Sequence, residues 1–218
     1  MAVIIITGVG RGFSAGADLA AALDNPLLDD ERRTDLGALL ERHYNPLILR
    51  MRDLPKPIVA AVNGMAAGAG ASLASAADLT IAARSVSLLQ SFVNIGLIPD
   101  AGGTWFLPQA LGTQCAMGLA LLGEKLSAQQ ALEWGLILDV VDDEEVLPAA
   151  LTLAQRLAAM PPKAVARIKY AIRSAVQRDL ESQLQIEAQL QRECSVTHAF
   201  EEGVAAFMQK RKAVFTGH

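Results

Sequence analysis

The apolar positions of the chain fall into two patterns, one typical of strands and one typical of helices. The continuous apolar run at residues 3–6 predicts a strand that is buried on both faces, and the run at 58–62 predicts a second buried strand. Residues 79–83 predict a third strand. Between these runs, residues 36–52 and 68–77 carry the spacing of helices. Strands that alternate with helices predict an α/β core.

The second half of the chain is mostly helical. Leu88 and Leu89 predict a fourth strand and residues 138–141 a fifth, whereas residues 94–103 form a loop rich in glycine and proline. Helical spacing resumes at Ala110. Further signals are a capping box of Ser127 with Gln130, a proline pair at 161–162, and helices over 181–192 and 201–212.

Composition narrows the classes of function. With 218 residues, 52% hydrophobic and 19% charged, the chain is long enough for one packed core and too apolar for disorder. The formal net charge of -4 argues against nucleic acid as a partner. No apolar run reaches the roughly 20 residues of a membrane span, and residues 1–7 lack the basic start of a signal peptide. Cys115 and Cys194 favour free thiols over a disulfide, so we expect a cytoplasmic protein.

Two glycine-rich loops, residues 10–19 and 63–72, carry the candidate chemistry. Each leaves an apolar strand and enters a helix, so its backbone N–H groups can bind an anion. Two such loops facing each other would form an oxyanion hole without side-chain donors. The alternative, tight turns with close helix packing, explains the spacing equally well. The first loop is not a dinucleotide-binding motif, since Ala15 stands where its third glycine belongs.

These loops and several later segments resemble the crotonase superfamily over essentially the whole chain. The matching segments are residues 12–19, 60–78, 94–104, 126–131, 135–137 and 202–211. The resemblance implies an α/β, crotonase-like fold, with a spiral core of ββα units in residues 1–142 and a helical C-terminal trimerisation region in residues 143–218. Family chains begin earlier, with two strands and a helix. We therefore expect a core that lacks these elements, with an open sheet edge and weaker coenzyme A binding.

The resemblance also implies site residues. The N–H groups of Ala15 and Ala69 would bind the thioester oxygen and stabilise an enolate. Further candidates for binding coenzyme A or the acyl group are Gly16, Ala17, Asp18, Gly68, Tyr44 and Lys210. Tyr44 either lines the acyl pocket or is an ordinary tyrosine on a helix face. Lys210 either reaches coenzyme A phosphates, across a subunit boundary, or belongs to a solvated basic helix.

The acid–base residues distinguish the reactions of the family. Its enoyl-CoA hydratases carry two glutamates, at the positions of Ser72 and Phe92 here, so the resemblance argues against hydration. Its isomerases carry an acid at or near Asp100, and one carboxylate can remove a proton at one carbon and return it at another. The alternative is that Asp100 caps the helix that begins near Gly103.

One subgroup resembles the chain more closely. The shared segments are residues 44–47, 66–71, 96–100, 102–105, 116–123 and 215–218. This subgroup contains the ring-epoxide isomerases of phenylacetate degradation, which convert a ring epoxide to an oxepin thioester. Enzymes that shift cis-3-enoyl-CoA double bonds to trans-2 are similar too. The resemblance implies an acyl-CoA isomerase in which Asp100 carries the proton.

Other functions compete with this interpretation. A non-catalytic role, as an acyl-CoA-binding or scaffold protein, fits the missing glutamates. A serine hydrolase centred on Ser72 lacks a histidine partner in a matching motif. An RNA-binding role, found in some relatives, conflicts with the net negative charge.

The remaining expectations concern polar residues and partners. Asp18 is read as the cap of the helix after the first loop, and Asp78 as the end of the second-loop helix. No metal is expected, because the histidines are scattered at His43, His198 and His218. Coenzyme A is part of the substrate, and no separate cofactor is expected. The resemblance implies a homotrimer or hexamer that binds an acyl-CoA thioester, with a hydratase as a possible further partner.

Overall fold

The computed structural model describes residues 2–24 and 26–215, and its strands form two four-stranded sheets. The first sheet is entirely parallel, in the order β1 (Ile4–Thr7), β3 (Ile58–Val62), β5 (Leu79–Ala83) and β8 (Asp139–Val141). The second has the order β2 (Gly12–Ser14), β4 (Met65–Ala67), β6 (Ser87–Leu89) and β7 (Lys125–Ser127), with β7 antiparallel to β6. From β1 to β6, successive strands alternate between the sheets, β7 adds to the second sheet beside β6, and β8 completes the first, in agreement with the expected spiral.

Helices follow the paired strands and then dominate the C-terminal part. They are α1 (Leu19–Asp24), α2 (Leu36–Leu39), α3 (Asn45–Asp53), α4 (Ala69–Ala76), α5 (Gly103–Leu122), α6 (Ala128–Glu133), α7 (Val146–Ala158), α8 (Pro162–Ala175), α9 (Leu180–Ser195) and α10 (His198–Met208). A π-helical turn, Leu40–Tyr44, joins α2 to α3, and 3-10 turns cover Ser91–Ile95 and Asp143–Glu145. The capping box of Ser127 and Gln130 is present at the start of α6.

The core lies between β3, β5 and the helices that cover them. All five residues of β3 are buried, as its apolar run predicts. Val146 and Ala150 of α7 belong to the same hydrophobic cluster. The division of the chain at residues 142/143 stays a prediction.

The structure corrects the prediction for the first strand. Residues 3–6 were expected to be buried on both faces, but β1 is an edge strand that pairs only with β3 among the described strands. Ile4 is consequently 38% exposed. One side of β1 therefore pairs with no other strand among those described.

Several helix boundaries also differ from their predictions. The helical spacing visible from Ala110 belongs to α5, which begins earlier, at Gly103, and is kinked at Gly112 (φ 73°, ψ 162°). Its start agrees with the helix near Gly103 considered for a cap by Asp100, and Gly102 turns the chain into it with a left-handed conformation (φ 81°). Residues 36–52 form two helices with a π-helical turn between them rather than one helix. The helix predicted over 201–212 is α10, which begins at His198 because Thr197 caps it.

A buried ionic cluster joins α8 to the end of the first sheet. Asp78 accepts the Ile58 N–H at 2.8 Å and forms ion pairs of 2.8 Å with Lys169 and Arg173. Lys169 also donates to the Met51 carbonyl. The expectation that Asp78 merely ends a helix therefore missed its role, because its partners on α8 lie about ninety residues away in sequence.

Two sequence expectations concern compartment and membrane. Cys115 and Cys194 are both free thiols. None of the described helices is long and apolar enough to cross a membrane. Met1 and His218, with residues 216 and 217 of the predicted family ending, lie outside the described residues.

Candidate active site

The two glycine-rich loops touch, so their backbones form one surface. A Cβ atom built on Gly16 would lie 3.2 Å from the Ala69 nitrogen. One built on Gly70 would lie 2.5 Å from the Ser14 carbonyl oxygen. A side chain at either glycine would push the loops apart. Ala15, between Ser14 and Gly16, is therefore held next to the second loop.

Hydrogen bonds from the Asn63 side chain link the second loop to the segment that leads into the first. The side-chain amide of Asn63 donates to the carbonyl oxygens of Gly8 (3.2 Å) and Gly10 (3.0 Å), and its Oδ1 accepts the Gly8 N–H at 3.0 Å. The sequence places Asn63 only at the start of the second glycine-rich loop. These hydrogen bonds were missed because partners more than fifty residues apart leave no local pattern.

The second loop presents the N-terminus of α4. Gly68 is the N-cap, with φ 53° and ψ -128°, a conformation that suits glycine alone. Its carbonyl oxygen accepts the N–H groups of Ala71 and Ser72, which starts the helical hydrogen bonding. Ala69 is the first helical residue, so its N–H has no acceptor within the helix and lies at the positive end of the helix dipole.

A cavity of about 380 Å³ lies against this junction. The predicted site residues that line it are Ala15, Gly16, Ala17, Tyr44, Gly68, Ala69 and Asp100. Most of the other lining is apolar and includes Leu36, Leu39, Leu40, Phe92, Leu97 and Ile98. An apolar cavity with few polar groups suits a small organic ligand.

Two predicted binding residues lie outside this cavity. Asp18 borders a neighbouring cavity, and its Oδ1 accepts the Ala21 N–H at 3.0 Å, so it caps α1 as expected. Lys210 is exposed just beyond the end of α10 and does not line the cavity. Its contact with coenzyme A across a subunit boundary stays a prediction.

The carboxyl of Asp100 lies on the cavity wall and is an unusual polar group because it is partly buried. Its Oδ1 atom is buried and has no hydrogen-bond partner among the described residues. Burial raises the pKa of the Asp100 carboxyl above its ordinary value, since a desolvated carboxylate is destabilised relative to the acid. The N-cap of α5 is Gly102, and no side chain caps that helix. The alternative that Asp100 is a helix cap is therefore wrong.

Tyr44 lies on the same cavity at the end of the π-helical turn. Burial raises the pKa of its phenol, and the nearby carboxylates of Asp100 and Asp18 raise it further. The phenol therefore stays protonated at neutral pH and can donate a hydrogen bond. π-Helical turns are rare and occur often at functional sites.

The two positions that carry glutamates in hydratases of the family hold no acid. Ser72 is fully buried, and its Oγ has no hydrogen-bond partner among the described residues. Phe92 lies on the cavity wall, 3.6 Å from a Cβ built on Gly68. Within the described part of the lining Asp100 is the only carboxylate, and no histidine is present to activate Ser72.

Comparison with known proteins identifies the family. The family model for enoyl-CoA hydratase/isomerase matches residues 1–218. The chain is 50% identical to the 1,2-epoxyphenylacetyl-CoA isomerase of Escherichia coli over 98% of this chain and 80% of that one. It is 44% identical to a probable enoyl-CoA hydratase of Rhodobacter capsulatus, with the same shares covered. A crystal structure of an enoyl-CoA hydratase from Polaromonas sp. JS666 has a TM-score of 0.92 at 35% identity, covering 99% of this chain and 82% of that one. The chain therefore belongs to the enoyl-CoA hydratase/isomerase family, the crotonase family that its motifs resemble.

Proposed function

We propose that this protein is an acyl-CoA isomerase that moves a proton with a single carboxylate, that of Asp100. The observation that carries the proposal is the isolation of this side chain. It is the only carboxylate on the described cavity wall, and one of its oxygens is buried without a partner. A carboxylate whose pKa is raised by burial is a stronger base than one in water.

The backbone N–H groups of Ala15 and Ala69 would bind the thioester oxygen. Asp100 would then remove a proton from the carbon next to the thioester, and the electron pair of that C–H bond would move onto the oxygen to form an enolate. For a cis-3-enoyl group, Asp100 returns the proton to the fourth carbon, where the π electrons of the 3,4 double bond form the new C–H bond. The enolate electrons form the trans-2 double bond, and the thioester carbonyl is restored. Two fixed N–H donors stabilise the enolate without reorganisation during the reaction.

The names of relatives support isomerisation and suggest the acyl group. The 50% identical relative from Escherichia coli is a 1,2-epoxyphenylacetyl-CoA isomerase. A relative from Streptococcus mutans, 34% identical over 99% of this chain, is a trans-2-decenoyl-[acyl-carrier-protein] isomerase. We propose 2-(1,2-epoxy-1,2-dihydrophenyl)acetyl-CoA as the first substrate to test and cis-3-enoyl-CoA as the second.

Incubation of the purified protein with each substrate tests the proposal. The conjugated trans-2 product absorbs in the ultraviolet. The rearranged ring product has the same mass as its substrate, so it is followed by its retention time in chromatography. Asp100→Asn is the matched variant, because it preserves the size of the side chain and removes the base. Binding of a saturated acyl-CoA by both proteins, measured by calorimetry, controls for an intact site.

The outcomes separate the two leading functions. Turnover by the wild type that is lost in Asp100→Asn, with acyl-CoA binding retained, supports the isomerase. Acyl-CoA binding without turnover of either substrate would favour the non-catalytic binding or scaffold role. Equal turnover by both proteins would contradict the role of Asp100.

The C-terminal helices also support self-association as a homotrimer or hexamer. They expose large apolar side chains, among them Ile172 (68%), Leu180 (74%), Val196 (81%) and Phe207 (81%). Apolar surface of this extent on neighbouring helices is typical of an interface. Light scattering coupled to size-exclusion chromatography measures the mass directly, and a monomer would contradict the proposal.

A further inference from the structure

A second cavity adjoins the one that contains Asp100. It is an open groove of about 440 Å³ between α1 and the π-helical turn, and several of the residues that line it, among them Ala21 and Leu47, are exposed. Three residues line both cavities: Ala17, Leu39 and Tyr44. These three residues therefore form a wall between two spaces of similar size.

Tyr44 contributes the largest side chain of this wall. Ala17 offers only a methyl group, so most of the barrier consists of the phenol ring and the Leu39 side chain. Burial, then the carboxylate of Asp100 in the first cavity and that of Asp18 beside the second, raise the pKa of the phenol. Because carboxylates beside both cavities raise the pKa of the phenol, the phenol lies between the two cavities.

The lining of the second cavity is suited to hydrocarbon. Ala21, Ala22 and Leu47 supply apolar surface, and the polar groups on its border are Asp18 and His43. A linear acyl chain that extends beyond the first cavity would find apolar surface here, and its burial would be favourable.

We infer that Tyr44 sets the longest acyl group that the site accepts, because its side chain closes the passage from the first cavity to the second. This inference rests on the proposed function, since it assumes that the first cavity holds the acyl group of a coenzyme A thioester. The wild type would accept compact acyl groups, such as a ring or a short chain. Removal of the phenol would open the second cavity to longer linear chains.

Binding of saturated acyl-CoAs from acetyl to dodecanoyl tests the inference by calorimetry. Saturated chains cannot be isomerised, so the result does not depend on the chemistry of Asp100. Each buried methylene group strengthens binding about fourfold. For the wild type we expect this gain to stop at the length that fills the first cavity. For Tyr44→Ala it should continue, so that dodecanoyl-CoA binds at least about tenfold more tightly than to the wild type.

Two control variants are needed. One tests whether the hydroxyl group of Tyr44 matters in addition to its ring, and the other tests whether enlarging the second cavity alone changes the length limit. Tyr44→Phe keeps the ring and should keep the length limit. Leu47→Ala enlarges the second cavity without touching the wall, so it should keep the limit as well. If Tyr44→Ala lacks the circular dichroism spectrum of the folded wild type, Leu39→Ala thins the same wall and carries the same expectation.

Three results would overturn the inference. An unchanged limit in the variants with a thinned wall would show that Tyr44 does not close the passage. Equal loss of affinity for acetyl-CoA and dodecanoyl-CoA in Leu47→Ala would show that the second cavity holds coenzyme A itself. Failure of the wild type to bind any acyl-CoA would contradict the proposed function together with the inference, whereas binding with an unchanged limit contradicts the inference alone.

Discussion

Asp78 and Asp100 are both partly buried carboxylates, yet their surroundings are opposite. Asp78 lies beside β5 and is surrounded by donors: the Ile58 N–H and the cations of Lys169 and Arg173. Asp100 lies on the cavity wall, and its Oδ1 has no hydrogen-bond partner among the described residues. The side chain of Asp78 is only 14% exposed, as is typical of a buried charge that is fully paired.

These opposite surroundings distinguish a structural carboxylate from a functional one. A buried charge with its hydrogen bonds satisfied holds elements together, and here it joins α8 to the sheet. A carboxylate left without partners raises the free energy of the folded state, and such a cost is typical of a site where chemistry needs a base. Four predictions test this comparison, beginning with the largest expected effect.

Asp100→Asn should lower isomerase turnover by about a thousandfold, or about 4 kcal/mol of transition-state stabilisation, because it removes the base. Its melting temperature should not fall, because the substitution removes a carboxylate that has a buried oxygen without a hydrogen-bond partner. Initial rates and thermal denaturation measure the two effects. A variant that loses both activity and stability would place Asp100 in the same structural class as Asp78.

Asp78→Asn should destabilise the fold by about 3 kcal/mol, because the largely buried Lys169 and Arg173 would lose the carboxylate that pairs with both of them, with only the more distant charge of Asp53 nearby. The free energy of unfolding in urea measures this change. Asp142→Asn is the matched control, since its ion pair with Arg84 is exposed and such pairs contribute about 1 kcal/mol or less. Equal effects of the two variants would refute a special role for the buried cluster.

Gly70→Ala should destabilise the protein by about 1–3 kcal/mol and lower its activity, because the new Cβ would lie 2.5 Å from the Ser14 carbonyl oxygen. Displacement of the loops would move Ala15 away from Ala69 and so disturb the proposed oxyanion hole. Gly118→Ala, at a glycine of α5 with nothing within 4 Å of the new Cβ, is the control and should be neutral or slightly stabilising. Unfolding free energies and initial rates compare the two variants.

The smallest effect concerns pH. Burial raises the pKa of Asp100 in the folded state above its value in the unfolded chain, so the folded state binds the proton more tightly. This contribution to stability is fully present below the unfolded pKa, and it is lost as the pH rises through the folded pKa. The melting temperature of Asp100→Asn relative to the wild type should therefore increase as the pH rises from below the unfolded pKa of Asp100 through its folded pKa. A difference that is constant with pH would contradict the prediction.

Sequence reasoning succeeded where the signal was local. The apolar runs at 58–62 and 79–83 coincide with β3 and β5, and the capping box of Ser127 is present. Short strands without an apolar run, β2, β4 and β7, were not predicted. Each of these strands has only three residues and lies in a glycine-rich or mixed segment, so it shows no alternation of apolar and polar positions that could be detected.

The candidate site was only partly visible in the sequence. The motif around Ala15 and the segment around Asp100 were recognised, and both line one cavity. The buried, unpaired Oδ1 of Asp100 could not be predicted, because its surroundings depend on groups from distant segments of the chain. The same holds for the ion pairs of Asp78 and for the wall formed by Tyr44 between two cavities.

The family, the alternation of strands and helices, and the glycines that let two loops approach can all be predicted from the residues alone. Each of these depends on residue type and spacing along the chain, which folding does not alter. Three other features emerge only from the fold: β1 is an edge strand, Asp100 is not a helix cap, and Asp78 joins α8 to the sheet. Burial, pairing and the pKa of a carboxylate depend on neighbours brought together from distant parts of the chain, and no local pattern records them.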